Sequence, residues 1–333
     1  MDFPPRPGSP QPRRESPAEQ SPFGLEPGEE PEASGNADES EPGHGDAPEA
    51  GQEPPAGPRR RGGARASGRR SETAARILWA VPWIVFAVFI VAMGGPVFAV
   101  AMVGFAWAAQ VELFRMTARS QPFEAAAFLG ALGLVAAAYF GSSLQILLAL
   151  VATVPVMLIF ALLRPNLKNV TWSLAITMLA LVWVALPFAH AVLLRELPLH
   201  GGALLVDVLV ATFFTDTFAY LGGRMFGRRP LAPVVSPNKT IEGLLIGVLG
   251  GVLGFWLAGL YQDWLTTPEA LLFGLCIALL APLGDLFESA VKRDLDVKDT
   301  GRLLGPHGGI LDRLDAVLFT IVAGYYLALA IVY

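Results

Sequence analysis

The sequence predicts an all-α, polytopic integral membrane protein, and three observations lead to that prediction. The chain of 333 residues is 53% hydrophobic and only 16% charged, which is too apolar for a soluble domain of this length. Apolar stretches long enough to cross a bilayer, each of about 20 residues, recur along the chain. Basic residues are concentrated in alternate loops between these stretches, as the positive-inside rule describes for membrane proteins.

The N-terminal 72 residues or so differ in composition from the rest of the chain. Residues 1–72 are rich in Pro, Gly, Glu, Ser and Ala and contain almost no aliphatic side chains. Such a segment cannot bury enough apolar surface to offset the entropy of ordering, so we expect a disordered tail. The tail is acidic to about residue 53 and basic after it. Its first 30 residues contain no signal-peptide core, so the first membrane helix is expected to direct targeting.

From residue 73 onward the sequence predicts about nine membrane helices. The first five, within 73–200, are dominated by Ala, Val, Leu and Phe. The last four, within 201–333, carry nearly all of the charge that falls inside predicted helices. Ionised groups in membrane helices usually mark function, so the chemistry is expected in this C-terminal half. The predicted helices are 76–93, 96–114, 123–140, 143–163, 171–194, 202–222, 241–261, 267–289 and 312–332.

The distribution of basic residues predicts the orientation of these helices. The arginines of the tail place the N-terminus in the cytoplasm, and alternate loops on that side are basic. The opposite side has only Arg195, and the C-terminus falls on that outer side. The basic residues of the predicted cytoplasmic loops are Arg115, Arg119, Arg164, Lys168, Arg224, Arg228, Arg229, Lys239, Lys292, Arg293, Lys298 and Arg302. We therefore predict a multi-pass protein of the plasma membrane with a cytoplasm-facing polar site.

Four polar residues near the end of the eighth predicted helix share one face. Asp285, Glu288, Ser289 and Lys292 are spaced at i, i+3, i+4 and i+7, which stacks them along that face. The alternative to a functional role is a salt-bridge stripe that only holds helices together.

The sixth predicted helix carries two aspartates at different depths. Asp216 lies near the cytoplasmic end, where it fits a site shared with Asp285. Asp207 lies nine residues earlier and points about half a turn away. For Asp207, a structural hydrogen-bonded acid and a supporting role at the site stay equally open.

The predicted loop 222–240 is basic and rich in glycine and proline. Thr240 is placed to cap the following helix, Glu242 lies in its first turn, and Lys239 is adjacent. A free helix N-terminus beside a lysine is a ready anion site. Positive-inside charge with ordinary capping is the alternative.

The predicted loop 290–311 combines basic residues with glycines, which allow a backbone to fold closely around a ligand. Its basic groups suit phosphate oxygens. Asp312 and Asp315 begin the next helix, and carboxylates beside a phosphate pocket indicate Mg²⁺. For His307, contact with phosphate and a role in positioning the loop both stay open. These features predict a site for a polyphosphate and a metal at the level of the lipid headgroups.

The stretch 289–315, SAVKRDLDVKDTGRLLGPHGGILDRLD, resembles the signature of the phosphatidate cytidylyltransferases (CDP-diacylglycerol synthases). The stretch 216–243, DTFAYLGGRMFGRRPLAPVVSPNKTIEG, resembles a second conserved region of that family. The two lie within about the last 130 residues of the chain. The signature positions are Ser289, Lys292, Arg293, Lys298, Asp299, Gly301, His307, Gly308, Gly309, Asp312, Arg313 and Asp315.

The resemblance implies that CTP and phosphatidic acid react to give CDP-diacylglycerol and pyrophosphate, with Mg²⁺ and a second cation such as K⁺. It also implies a homodimer in contact with membrane lipids and no nucleic-acid partner. Asp216 and Asp285 are expected to bind the metal. The expected catalytic residues are Asp285, Lys292, Arg293, Asp312 and Asp315. The expected nucleotide- and phosphate-binding residues are Ser236, Lys239, Thr240, Glu242, Lys298, Arg302, His307, Gly308, Gly309 and Arg313; of these, Lys298, Arg302 and Arg313 are hypothesised to serve the phosphatidate headgroup.

Three other functions are alternatives to this one. A CTP-dependent lipid kinase of the polyprenol or dolichol kinase type would transfer the γ-phosphate and release CDP instead of pyrophosphate. An ion-coupled transporter would favour charged, broken helices at the midplane of the membrane. A scaffold would need no phosphate-binding chemistry at all.

Overall fold

The computed structural model describes residue 82, residues 85–301 and residues 308–333. All of these belong to the second of two units of the chain, Arg60–Tyr333. The predicted disordered tail, 1–72, lies outside the described residues. So do most of the predicted first helix before residue 85 and the signature residues Arg302 and His307.

Helices make up nearly all of the described chain, and the predicted all-α fold is confirmed. Residues 85–93 are helical and are called α1. The other helices are α2 Gly95–Met116, α3 Glu124–Phe140, α4 Ser143–Leu162, α5 Val170–Leu179, α6 Leu186–Arg195, α7 Gly201–Phe226, α8 Ile241–Gly259, α9 Thr267–Asp294 and α10 Leu311–Ile331.

The described helices also confirm a polytopic membrane protein. A π-helical segment, Ala180–Ala185, joins α5 and α6 into one span, Val170–Arg195. With that span counted once, seven described helices are long and apolar enough to cross a membrane. The apolar helix α3 is shorter, at 17 residues. Every predicted helix from the second to the ninth has an observed counterpart whose ends lie within a few residues of the prediction.

The two predicted loops of the C-terminal half are shorter than expected. Helix α9 continues to Asp294, so the prediction that Lys292 and Arg293 lie in a loop is wrong. Helix α7 continues to Phe226, and most of the remaining segment forms a two-stranded antiparallel hairpin. Its strands are β1, Pro230–Ala232, and β2, Ser236–Thr240, and Pro230 pairs with Thr240. The last residue of β2, Thr240, is followed directly by Ile241, the first residue of α8.

Close packing of the last four helices positions the polar residues. A Cβ on Gly247 of α8 would lie 2.8 Å from the carbonyl oxygen of Thr215, so α8 lies directly against the α7 backbone. A Cβ on Gly284 of α9 would lie 2.4 Å from the carbonyl oxygen of Asp315. The backbones of α9 and α10 therefore touch beside Asp285, and only glycine allows that approach.

Candidate active site

The polar stripe on α9 forms as the spacing predicts. The Ser289 hydroxyl donates to the Asp285 carboxylate at 3.3 Å, and the Lys292 ammonium donates to Glu288 at 3.0 Å. Lys292 also donates to Asp312 of α10 at 2.9 Å. Glu288 is 1% exposed, so this lysine and two carboxylates form a largely buried charged group between the two helices.

The hairpin joins this stripe through a second lysine. The Lys239 ammonium of β2 lies 2.6 Å from a carboxylate oxygen of Asp285. About two turns further along α9, the Arg293 guanidinium donates through Nε to the carbonyl oxygen of Val235 at 3.3 Å. Two residues of α9 thus hold the hairpin against the helix, and they place Ser236 and Thr240 at the same end of the protein.

Asp216 lies within electrostatic reach of carboxylates on two other helices and of Lys239. Asp216 of α7 is exposed, and the charges that act on it are those of Asp315, Asp285 and Lys239. Asp315 of α10 is repelled by Asp285 in turn. The charges of Asp216 and Asp285 interact, and the assignment of a metal to this pair stays a prediction. Within the described part of the chain, however, no three or more His, Cys, Asp or Glu side chains group closely enough to hold a metal ion.

The start of α8 is capped by the chain itself. As predicted, the Thr240 hydroxyl accepts the Gly243 amide at 3.1 Å. The Ile241 amide donates to the carbonyl oxygen of Arg229 at 3.0 Å. The expectation of a free helix N-terminus is therefore wrong. Glu242 itself supplies an anion there, and its carboxylate accepts the Arg228 and Arg229 amides, at 3.0 and 3.1 Å, which tethers the start of the hairpin.

Asp312 organises both ends of the glycine-rich signature loop. Its carboxylate accepts the Thr300 amide, at 3.0 Å to one oxygen, and the Gly309 amide at 2.9 Å. Gly308 has a φ of +83°, in the left-handed region that favours glycine. Lys298, two residues before Thr300, is exposed.

Sequence reasoning missed Glu112, on α2 in the N-terminal half. This side chain is 1% exposed and accepts the Thr300 hydroxyl and the Ile310 and Leu311 amides. The sequence predicts the chemistry after residue 200, and none of the predicted site residues lies in the earlier helices. A lone acid inside the predicted helix 96–114 was the available signal, because an ionisable residue in a membrane helix is costly and usually functional.

A large apolar cavity adjoins the signature region through Ile310, Arg313 and Leu314. Its volume is about 940 Å³, and residues of α1 and α7 form most of its wall. Arg313 and Arg195 are its charged lining residues. Arg195 already donates to the carbonyl oxygen of Val91 at 2.7 Å. Arg313 is exposed, so it brings a cation to the edge of an apolar space.

Asp207 lies apart from these groups. It is fully buried and accepts a 2.7 Å hydrogen bond from Gln262, in the connection between α8 and α9. Because α8 begins at Ile241, close to Lys239, and ends at Gly259, close to Gln262, this contact lies at the opposite end of α8 from Lys239. Of the two interpretations of Asp207, the structural hydrogen-bonded acid is the one that fits.

Comparison with known proteins agrees with the signature. Residues 74–331 match the model of the cytidylyltransferase family. A phosphatidate cytidylyltransferase of Bacillus subtilis is 39% identical over 153 residues, which cover 45% of this chain and 56% of that protein. One from Mycobacterium leprae is 36% identical over 165 residues, covering 50% and 53%. The uncharacterized protein YnbB of Escherichia coli is 45% identical over 150 residues, covering 43% and 50%. The chain thus spans about half the length of the curated relatives it matches.

Proposed function

We propose that this chain, which belongs to the cytidylyltransferase family, transfers the cytidylyl group of CTP to phosphatidic acid and releases pyrophosphate. One arrangement of charged side chains beside an apolar cavity supports this proposal. Carboxylates from α7, α9 and α10 and two lysines gather at one end of the helices, next to an apolar cavity edged by Arg313. Such a site suits one highly charged substrate and one lipid, which are the two reactants of this transfer.

The nucleotide half of the site is assigned to the lysines and the hairpin. Lys239, Lys292 and Arg293 are proposed to contact the triphosphate, with Ser236 and Thr240 assisting. Lys239 and Lys292 are each held by carboxylates, at 2.6 and 2.9 Å, so their positions are set before a substrate arrives. Charge-assisted hydrogen bonds from such prepositioned cations stabilise phosphate oxygens strongly.

The reaction needs no strong general base. A phosphatidate oxygen, ionised near neutral pH, attacks the α-phosphorus of CTP and forms the new P–O bond. The bond from the α-phosphorus to the bridging oxygen breaks, and pyrophosphate leaves with its electron pair. The chain's contribution is then alignment of the two substrates and neutralisation of the charge that builds up on the leaving group.

Mg²⁺ is proposed as the cofactor, held by Asp216 and Asp285. Carboxylate oxygens are the donors that Mg²⁺ prefers, and one or two of them with substrate phosphates and waters complete its coordination. The donor set therefore fits, although fewer than three candidate ligands are grouped among the described residues. When bound, the ion would offset negative charge on the triphosphate. A second cation such as K⁺ is also proposed at this site.

The lipid half of the site is assigned to Arg313 and the cavity. The guanidinium suits the phosphatidate headgroup, and the apolar wall suits acyl chains. Lys298 and Arg302 are proposed to add positive charge near the headgroup.

The setting of the protein in the cell is also a proposal. The basic loops support a plasma-membrane protein with the N-terminus and the site facing the cytoplasm. Two copies are proposed to form a homodimer in contact with membrane lipids.

Pyrophosphate release from CTP by the purified protein tests the proposal. We expect release only when phosphatidic acid and Mg²⁺ are both present. Diacylglycerol is the matched control lipid, because it has the same acyl chains but lacks the attacking phosphate. Release of CDP with diacylglycerol would instead make the protein a lipid kinase, and release of neither product would reject both reactions.

A further inference from the structure

We propose that Glu112 is a positioning residue for this transfer, which clamps both ends of the signature loop and thereby orients Asp312 and Lys292. The inference rests on the proposed function for its catalytic consequence, but its structural part stands on the contacts of one buried carboxylate. Glu112 belongs to α2, in the half of the protein that holds none of the site residues proposed above.

The contacts of Glu112 join two segments that are separate along the chain. One carboxylate oxygen accepts the Thr300 hydroxyl at 3.2 Å and the Leu311 amide at 2.9 Å. The other accepts the Ile310 amide at 3.0 Å. Thr300 precedes the segment 302–307 and Ile310 follows it, so one side chain ties together the start and the end of the loop.

Glu112 and Asp312 share Thr300 as a donor and accept neighbouring amides at the end of the loop. The Thr300 amide donates to Asp312 while its hydroxyl donates to Glu112. Gly309 donates to Asp312, and the next two amides donate to Glu112. Asp312 in turn accepts from Lys292. Moving Glu112 would therefore shift Thr300, then Asp312, and finally the lysine assigned to the triphosphate.

The glycines of the loop are fitted to the Glu112 carboxylate. A Cβ on Gly301 would lie 2.7 Å from one carboxylate oxygen of Glu112, and its three nearest neighbours are all Glu112 atoms. A Cβ on Gly309 would lie 2.1 Å from the Thr300 hydroxyl oxygen and 2.4 Å from the other carboxylate oxygen of Glu112. These distances are too short for a real Cβ, so the carboxylate fills the space beside Gly301 and, together with the Thr300 hydroxyl that it accepts, the space beside Gly309.

A purely architectural explanation does not account for a carboxylate here. A charge 1% exposed between helices costs free energy unless hydrogen bonds replace its water, and an apolar side chain would pack α2 without that cost. The amides that Glu112 accepts stand at the N-terminal end of α10, where an anion is favoured by the unpaired N–H groups and the helix dipole. The carboxylate is thus matched to the loop and to the first turn of α10.

The first test separates positioning from folding. Full-length Glu112→Gln, Glu112→Asp and wild-type protein are compared by kcat, by KM for CTP and phosphatidic acid, and by amide hydrogen exchange at Ile310 and Leu311. Loss of a charged acceptor should lower kcat of Glu112→Gln by roughly ten- to a hundredfold. KM for phosphatidic acid should stay within about twofold, since the cavity is not altered. Glu112→Asp keeps the charge and should recover part of the loss. The control is Glu124→Gln, an exposed acid in α3.

Amide exchange gives a result that does not depend on activity. Exchange at Ile310 and Leu311 should accelerate in Glu112→Gln, while exchange in α3 and α4 stays as in the wild type. Wild-type kcat together with unchanged exchange in Glu112→Gln would overturn the inference. If the wild-type protein transfers nothing, the proposed function fails, and the exchange result alone supports or rejects the clamp.

A double-mutant cycle tests the fit of the loop. Gly301→Ala should accelerate exchange at Ile310 and lower kcat in the wild-type background, because its methyl meets the carboxylate. In a Glu112→Ala background the space is open, so adding Gly301→Ala should have little further effect on exchange. Equal effects of Gly301→Ala in both backgrounds would show that the carboxylate does not set the need for glycine.

Discussion

Lys292 and Asp312 lie 2.9 Å apart and join the last turn of α9 to the first turn of α10. Lys292 also holds the buried Glu288, at 3.0 Å. One ammonium thus serves two carboxylates from two helices at the point where the signature loop leaves α9 and returns to α10. The same contacts that stabilise this end of the protein also fix a cation that is proposed to meet the triphosphate.

Replacing Lys292 is expected to affect stability and activity together. Lys292→Met leaves two carboxylates without their cation, which should destabilise the protein by roughly 3 kcal/mol. Thermal unfolding in detergent and kcat measure the two effects, with Lys168→Met, an exposed lysine, as the control. Adding Glu288→Gln removes one stranded charge, so Tm should partly recover while kcat does not. Recovery of kcat along with Tm would show that Lys292 acts only in folding.

Neutralising the proposed metal ligands is expected to change the metal requirement. Asp216→Asn and Asp285→Asn each remove a charged oxygen donor, so the Mg²⁺ concentration for half-maximal rate should rise by about tenfold or more. Titration of the rate with Mg²⁺ measures this shift. Asp263→Asn is the matched control, because Asp263 is exposed in the connection between α8 and α9. An unchanged Mg²⁺ titration in both variants would refute the metal assignment.

Removing the cation at the cavity is expected to weaken binding of one substrate only. Arg313→Gln should raise KM for phosphatidic acid by about tenfold and leave KM for CTP within about twofold, since a charged hydrogen bond to phosphate is lost. Steady-state kinetics in mixed micelles, with Arg119→Gln as an exposed control, give both constants. If KM rose for CTP alone, Arg313 would be assigned to nucleotide binding instead of lipid binding.

A methyl group at Gly308 is expected to destabilise the loop. Its φ of +83° costs a residue with a Cβ about 1–2 kcal/mol. We expect Gly308→Ala to lower Tm and activity. The control is Gly104→Ala, inside α2, where a Cβ meets nothing within 4 Å and helix propensity should make the change neutral or favourable. Equal Tm values for the two variants would show that the left-handed conformation is not required.

Local patterns in the sequence were sufficient for much of this fold. Long apolar stretches predicted the helices, and helical spacing correctly predicted the face shared by Asp285, Ser289 and Lys292. Thr240 was correctly predicted as a helix cap. These features depend on residues close together along the chain, and their physical chemistry is local.

Features that depend on distant contacts were not predictable in the same way. The hairpin takes its place through two contacts with α9, Lys239 with Asp285 and the Val235 carbonyl with Arg293, and each joins residues more than 40 apart in sequence. Glu112 meets Thr300 across 188 residues. Lys292 meets Asp312 of the next helix across 20 residues. Helix spacing contains no information on which helices become neighbours.

The central claim, cytidylyl transfer to a lipid phosphate, is tested most directly by following the α-phosphate of CTP. Protein in liposomes that contain phosphatidic acid is incubated with Mg²⁺ and with CTP labelled at either the α- or the γ-phosphate, and the extracted lipid is counted. The account predicts lipid label from α-labelled CTP only, with strong reduction in Asp285→Asn. Lipid label from γ-labelled CTP alone, or from neither, would contradict it.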